Sequence, residues 1–163
     1  MKQIELTQGQ VAAVDDEDFD RVNQFKWYAM RHGRTFYAVR DVKINGMRTA
    51  QLLHRVILNL PPGRVPEADH RDGNGLNNCR SNLRTATHQQ NNCNRRKRRY
   101  HLGKSTSSEW KGVSWHKQTG KWRAQIGGNG NTHHLGLFDS EETAARAYRL
   151  AAVQLHGEFA RVV

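Results

Sequence analysis

Four polar residues in the middle of the chain have the types and spacing of a hydrolytic metal site. Asp69 and His70 are adjacent, Asn82 follows His70 by 12 residues, and Asn91 follows Asn82 by 9. Asp69 and Asn91 offer oxygen ligands that suit one hard cation, Mg²⁺ or Mn²⁺, with other positions open to water and phosphate. His70, which is not needed as a ligand, can take a proton from water near neutral pH. The set predicts phosphodiester hydrolysis.

The elements that must position these residues follow the order strand, loop, strand, helix. Residues 72–75 (Asp-Gly-Asn-Gly) predict a turn, and residues 83–86 predict a return strand. Thr87 and Gln90 match a capping box, so a helix is predicted from His88 with Asn91 in its second turn. We expect Asn82, in the hairpin, to bond backbone across the loop and to hold the imidazole of His70.

The charge of the chain favours a polyanionic partner. Its 26 Lys and Arg and 15 Asp and Glu give a net charge of +11, and residues 69–104 alone carry nine basic and two acidic side chains. Membrane-surface binding is the weaker alternative, because no strongly amphipathic basic helix accompanies the charge. The chain has no long apolar run or signal pattern, so a cytoplasmic protein is expected. Cys79 and Cys93 lack a CxxC pattern and are expected to be free thiols.

The remaining segments predict an α+β protein of several parts. Residues 1–53 are expected to form a β-rich unit with a short helix after Asp15, and residues 51–60 are predicted to be helical. Residues 54–94 carry the chemistry, and residues 95–108 read as a basic, flexible linker. Residues 109–160 predict a three-stranded antiparallel sheet (111–116, 121–126, 132–138) packed on one helix between Ser140 and Gly157.

Four short segments match a known pattern: LHRVI at 53–57, ADHRDGNGLNN at 68–78, SNLRTAT at 81–87 and Gln90-Asn91. They resemble the HNH homing endonucleases of phages and mobile introns. The resemblance implies a ββα-metal nuclease core in which Asp69 and Asn91 bind one divalent metal, His70 is the general base, and Asn82 orients it. His54 is a further catalytic candidate: it could contact the scissile phosphate or leaving group, or pack its helix on the hairpin.

The last segment carries a second set of motifs: KGVSW at 111–115, GKWRAQI at 120–126, LGLF at 135–138 and AARAY at 144–148. They resemble the APETALA2-type DNA-binding domain, whose sheet enters the major groove with the face away from the helix. Arg and Gln suit guanine and adenine edges. The resemblance, together with the basic run at residues 95–99, predicts DNA contacts at these residues: Arg95, Arg96, Lys97, Arg98, Arg99, Lys111, Ser114, His116, Arg123, Gln125, Thr132 and His134.

These patterns predict an endonuclease that acts on double-stranded DNA and uses its last domain to choose sites, as homing enzymes of mobile elements do. A monomer with one such centre is expected to nick, whereas double-strand cleavage would need a second centre. One alternative is a non-catalytic DNA-binding regulator with a relic nuclease domain. Another, an RNA-binding intron helper, rests on charge alone.

Overall fold

The computed structural model describes residues 1–61, 63, 65–97, 100–101, 104–128 and 130–161. Helices and strands are mixed and every strand pair within the described residues is antiparallel, which confirms the α+β class. The chain divides into two compact units, Met1–Asn91 and the residues from Asn92 onward.

The first unit is built from short strands and short helices. Its elements, in chain order, are β1 (Lys2–Glu5), β2 (Val11–Val14), α1 (Asp16–Asn23), β3 (Tyr28–His32), β4 (Thr35–Ile44), β5 (Met47–Leu52), α2 (Leu53–Ile57), β6 (Glu67–His70), β7 (Leu83–Ala86) and α3 (His88–Asn94), whose last residues belong to the second unit. β1 pairs with β2, β3–β4–β5 form one sheet, and β6 pairs with β7.

One hydrophobic core lies beneath the N-terminal elements and the β6–β7 hairpin. Val14 of β2, Val22 of α1, Ile57 of α2 and Leu83 of β7 are all buried in the same cluster. The hairpin that carries Asp69 and His70 is therefore supported from behind by residues that precede it in the chain.

Two features of this unit differ from the sequence prediction. Gln51 and Leu52 pair with Arg40 and Val39 of β4, so α2 begins only at Leu53 and is shorter than the predicted helix over 51–60. β3 was not predicted, and its residues complete the sheet by pairing along β4. In both places the structure is decided by strand pairing with β4, and local periodicity cannot reveal such pairing.

The second unit contains a short strand pair and a three-stranded sheet covered by one long helix. Its elements are β8 (Tyr100–His101), β9 (Lys104–Ser105), β10 (Val113–His116), β11 (Lys121–Gly128), β12 (Asn131–Phe138) and α4 (Glu141–His156). Ser140 accepts a hydrogen bond from Thr143 N at 3.2 Å, so the predicted cap of α4 is confirmed.

The helix lies close on the sheet because small residues face it. Ala144, Ala145 and Ala152 of α4 are buried against Ala124 and Ile126 of β11. Gly112 has a φ of +72°, and a Cβ at this position would collide with the Tyr148 ring. The position therefore needs glycine for both its backbone angle and its space.

Three further expectations can be compared with the described residues. The 95–108 segment, predicted as a flexible linker, includes the β8–β9 pair. Cys79 and Cys93 are both free, as predicted. In the part of the chain that the structure describes, no helix is long and apolar enough to cross a membrane.

Candidate active site and candidate DNA-binding sheet

The β6 strand presents its polar residues on two faces. Successive side chains of a strand alternate, so Glu67 and Asp69 share one face and His70 lies on the other. Asp69 pairs in register with Arg84 of β7. Both side chains are buried, and Arg84 donates to Asp69 Oδ2 from Nε at 2.8 Å and from Nη2 at 2.6 Å. A buried carboxylate on this face is thereby held in one orientation.

Asn91 reaches the same face from α3. Its Nδ2 donates to Glu67 Oε2 at 2.6 Å, and His88, one turn earlier, places Nδ1 2.8 Å from Glu67 Oε1. The helix thus lies against the strand face that carries Asp69. The carboxylate of Asp69 and the carboxamide oxygen of Asn91 are the donor types that Mg²⁺ and Mn²⁺ take, so the residues present fit a hard divalent cation.

The arrangement of α3 follows from the capping box at its start. Thr87 Oγ1 accepts from Gln90 N at 3.2 Å, and Gln90 Oε1 accepts from Thr87 N at 2.8 Å. These reciprocal bonds match the sequence prediction and fix the helix start, which in turn sets Asn91 in the second turn.

His70 is buried in a small aromatic cluster on the opposite face of β6. Its ring centroid lies 4.9 Å from that of His54 and 5.8 Å from that of Tyr37. Its Nε2 lies 3.3 Å from Asn78 Oδ1. Burial lowers the pKa of His70 below its usual value. The imidazole is therefore neutral near pH 7, the form in which it can accept a proton.

His54 stands behind His70 in this cluster. Its side chain is only 6% exposed, and its ring makes edge contacts with both His70 and Tyr37. Burial, followed by repulsion from His70, lowers the pKa of His54 to about 3. An uncharged, enclosed ring favours the packing role for His54 over contact with a phosphate.

Asn82 braces the β6–β7 loop. Its Oδ1 accepts from Asp72 N at 3.1 Å, and its Nδ2 donates to Asp72 Oδ1 at 3.0 Å and to Asn77 O at 2.8 Å. The expected backbone bonds across the loop are present. The side chain seen beside the His70 imidazole is Asn78, which the sequence analysis did not single out.

The loop is also anchored to the N-terminal elements. Arg80 binds Asp18 through Nε at 2.7 Å and Nη2 at 2.9 Å, and Arg80 N donates to Asp15 Oδ2 at 2.7 Å. Within the described residues, Asp15, Glu17 and Asp18 are the only set of three or more His, Cys, Asp or Glu residues close enough to share a cation. Arg80 also binds Glu17 at 2.8 Å, so its guanidinium already pairs with two of these three carboxylates.

The sheet of the second unit gathers the predicted DNA-contacting residues on one face. In register, Ser114 lies opposite Arg123 and Gln125 opposite His134. His116 and Thr132 follow on the same face by strand alternation. This face is opposite to the one that Ala124 and Ile126 bury against α4. Arg123 Nη2 lies 3.4 Å from Ser114 Oγ, whereas its buried Nε has no hydrogen-bond partner among the described residues.

The basic residues near this sheet fall into two groups, and the first consists of two lysines that donate to backbone carbonyls. Lys97 Nζ donates to Trp110 O at 2.8 Å and Val113 O at 2.6 Å. Lys111 Nζ donates to the carbonyls of Asn92, Cys93 and Arg95, the shortest at 2.6 Å. Burial lowers the pKa of both lysines.

The other group comprises arginines. Arg95 and Arg96 are exposed, and Arg98 and Arg99 lie outside the described residues. Within the described part of the basic run, Arg95 and Arg96 therefore carry accessible charges, whereas the ammonium group of Lys97 donates to backbone carbonyls.

Comparison with known proteins identifies the family. A family model described as HNH endonuclease matches residues 51–93, and one described as AP2 domain matches residues 108–158. A protein of Acanthamoeba polyphaga mimivirus, described as an uncharacterized HNH endonuclease, is 36% identical over 155 residues. These cover 93% of this chain and 74% of the mimivirus protein. The chain belongs to the HNH endonuclease family.

Further relatives of this HNH endonuclease family member match shorter stretches of the chain. Protein 3.8 of Escherichia phage T7 is 37% identical over 102 residues, or 61% of this chain and 79% of the phage protein. The AP2-like ethylene-responsive transcription factor TOE2 of Arabidopsis thaliana is 43% identical over 54 residues, 33% of this chain but 11% of the plant protein. No solved structure matches the chain. The HNH and AP2 domains imply that the chain binds DNA.

Three residues of the HNH segment were missed by the sequence analysis. Glu67, Asn78 and Arg84 all contact a predicted site residue and all lie within the matched range 51–93. Glu67 had a usable signal, because it precedes Asp69 by two positions in a predicted strand and must share its face. Asn78 had none, since asparagines in such a loop are ordinarily explained by turn formation.

Proposed function

We propose that this HNH endonuclease family member hydrolyses DNA phosphodiester bonds with one divalent metal ion, and that its AP2 domain selects where it cuts. The observation that carries the proposal is the joint placement of Asp69 and Asn91 on one face of the β6–β7–α3 segment, with the buried, neutral His70 next to Asp69 in sequence and on the opposite face of β6. Asp69 and Asn91 would hold the ion. Bound Mg²⁺ or Mn²⁺ would supply Lewis-acid stabilisation of charge on the scissile phosphate.

His70 supplies the proton acceptor. In the tautomer that carries hydrogen on Nε2, this nitrogen donates to Asn78 Oδ1, and Nδ1 accepts the proton of the attacking water. The water oxygen forms the new bond to phosphorus as the bond to the 3′ oxygen breaks, and the departing 3′ oxygen takes a proton from solvent water. This leaves a 5′-phosphate and a 3′-hydroxyl. His54 fixes the plane of the His70 ring by an edge contact, and Tyr37 packs against the same ring at a tilt.

Asn82 acts on His70 indirectly, through the β6–β7 loop. Because it ties Asp72 to Asn77, it fixes the segment that carries Asn78 and hence the His70 ring. Loss of Asn82 is expected to slow cutting without removing the metal ligands Asp69 and Asn91.

The AP2 domain provides the DNA-reading surface. Arg123 and Gln125 are the side chains proposed to read bases, with Ser114, His116, Thr132 and His134 around them. Arg95 and Arg96 are proposed to contact phosphates. Lys97 in the basic run and Lys111 at the edge of the sheet were also predicted to contact DNA, but their ammonium groups donate to backbone carbonyls, which supports a structural role. Nicking by a monomer and a role in mobile-element homing remain predictions.

A plasmid-nicking assay tests the proposal. Supercoiled DNA is incubated with the protein and Mg²⁺, Mn²⁺ or EDTA, and strand-labelled products are resolved to distinguish nicks from double-strand breaks. We expect cutting only with metal, and His70→Ala should lower the single-turnover rate by about 10²–10⁴-fold with DNA binding retained. His133→Ala, an exposed histidine on β12, is the matched control. Cutting by His70→Ala at the wild-type rate would contradict the assigned base.

The relic-domain alternative makes a different prediction in the same assay. A non-catalytic regulator would bind DNA without metal and would leave every substrate intact in Mg²⁺ and in Mn²⁺. Binding without cleavage across a random-site library would therefore favour that alternative and reject the nuclease.

A further inference from the structure

Glu67 is a carboxylate of the candidate site that no part of the proposed mechanism has used. It is half-buried on β6, two residues before Asp69 and on the same strand face. Both of its oxygens face α3: Oε2 lies 2.6 Å from Asn91 Nδ2, and Oε1 lies 2.8 Å from His88 Nδ1. One of its two helix contacts is therefore a residue proposed to bind the metal.

The chemistry of this contact fixes the orientation of Asn91. An ionised carboxylate only accepts hydrogen bonds, whereas a carboxamide has one accepting end and one donating end. The atom of Asn91 that approaches Glu67 must therefore be the NH₂ group. The carboxamide oxygen is then directed away from Glu67. Only that oxygen can ligate a hard cation, because the amide nitrogen has no lone pair to offer.

We propose that Glu67 is a positioning residue of the metal site, which holds the Asn91 carboxamide with its oxygen as the ligand and does not itself bind the ion. The inference rests on the proposed function, since it takes Asn91 as a metal ligand. The short bonds from α3 to both oxygens support an orienting role over a ligand role for Glu67.

A pure packing role for Glu67 makes a different prediction from an orienting role. Glu67→Gln keeps the size and both hydrogen-bonding positions, so packing of α3 on β6 would be retained. A glutamine amide, however, can pair with Asn91 in either orientation, because it carries both a donor and an acceptor. The glutamine variant therefore removes the enforced orientation while it keeps the contact.

The experiment measures Mn²⁺ binding directly, in the full chain and without DNA. Isothermal titration with MnCl₂ is carried out for wild type, Glu67→Ala and Glu67→Gln, and the unfolding temperature of each is recorded in EDTA and in Mn²⁺. We expect Glu67→Ala to weaken Mn²⁺ binding by about 10–100-fold, as loss of an outer-shell partner does. Glu67→Gln should fall between Glu67→Ala and wild type. Each variant should also lose most of the rise in unfolding temperature that Mn²⁺ gives.

His88→Ala is the matched control, because it removes the other helix contact of the same carboxylate. It should weaken Mn²⁺ binding far less than Glu67→Ala does. The inference is overturned if Glu67→Gln binds Mn²⁺ as wild type does, or if His88→Ala matches Glu67→Ala. It is also overturned if the loss of binding follows only a loss of stability in EDTA.

Asn91→Ala separates this inference from the proposed function. If Asn91→Ala loses Mn²⁺ binding while both Glu67 variants retain it, the metal site stands and the role of Glu67 is rejected. If Asn91→Ala binds Mn²⁺ as wild type does, Asn91 is not a ligand, and the metal assignment of the proposed function is rejected with it.

Discussion

The two functional regions of the chain hold their polar residues in opposite ways. In the β6–β7–α3 segment, Asp69, His70 and Asn82 are buried, and each is hydrogen-bonded to a neighbouring side chain. On the outer face of the β10–β12 sheet, Thr132 and His134 are exposed. A hydrolytic site needs fixed geometry before substrate arrives, whereas a DNA-reading face needs access to base edges. Substitutions should therefore affect rate and stability in the first region and DNA affinity in the second.

The largest effect is expected at Asp69, where the proposed metal ligand is also half of a buried ion pair. Asp69→Ala leaves the Arg84 guanidinium buried without this partner, so the free energy of unfolding should fall by about 3–5 kcal/mol. Metal-dependent cutting should be lost as well. Chemical denaturation and the nicking assay measure the two effects.

The double variant Asp69→Ala/Arg84→Met separates stability from chemistry. Removing both charges should restore much of the stability, because the buried guanidinium that has lost its Asp69 partner is removed as well. Cutting should not return, since the proposed ligand is still missing. Recovery of cutting in the double variant would show that Asp69 matters only as the partner of Arg84.

The next effect concerns the pH dependence of the free energy of unfolding, to which the buried histidines contribute. The pKa of His54 is lowered to about 3 in the folded protein, so the unfolded chain binds more protons between that value and pH 6.5. The contribution to stability is complete above pH 6.5 and is lost as the pH falls toward 3. For each extra proton that the unfolded chain binds, the unfolding free energy falls by about 1.4 kcal/mol per pH unit as the pH falls.

His54→Phe tests this dependence, because it keeps a ring in the cluster and removes the titrating group. Its stability should fall less steeply than that of wild type between pH 6 and pH 4, in urea denaturation at each pH. The remaining slope includes His70, whose pKa burial also lowers. Identical slopes for variant and wild type would mean that His54 is not the source of the acid sensitivity.

A smaller and different effect is expected on the sheet face. Arg123→Ala should weaken DNA binding by about 1–3 kcal/mol if Arg123 reads a base, while the rate of cutting at saturating protein stays near that of wild type. Fluorescence anisotropy and single-turnover cleavage give the two values. Arg146→Ala, an exposed arginine on α4, is the control and should alter neither. If Arg123→Ala instead lowered the cutting rate and left DNA affinity unchanged, the division of roles between the two regions would be contradicted.

The sequence was informative where function depends on local patterns. The capping box at Thr87 predicted the start of α3, and the alternation around Trp122 predicted the buried face of β11. The contacts of Glu67 and Asn78 could not be predicted in the same way. They join a strand to a helix and a loop to a strand, and their partners are set by packing rather than by spacing. The length of α2 also depended on pairing with β4, which is distant in sequence.

The last prediction compares Arg96 and Lys111, two basic residues that look alike in sequence and that the structure places differently. Arg96 is exposed, so Arg96→Ala should lower the slope of log K for DNA binding against log salt concentration by about 0.9, with no loss of stability. Lys111 donates to three carbonyls, so Lys111→Met should instead lower the free energy of unfolding by about 1.5–3 kcal/mol. Salt titrations of anisotropy and urea denaturation measure the two quantities. A salt slope that falls for Lys111→Met and not for Arg96→Ala would reverse the assignment, because the Lys111 ammonium would then be the phosphate contact.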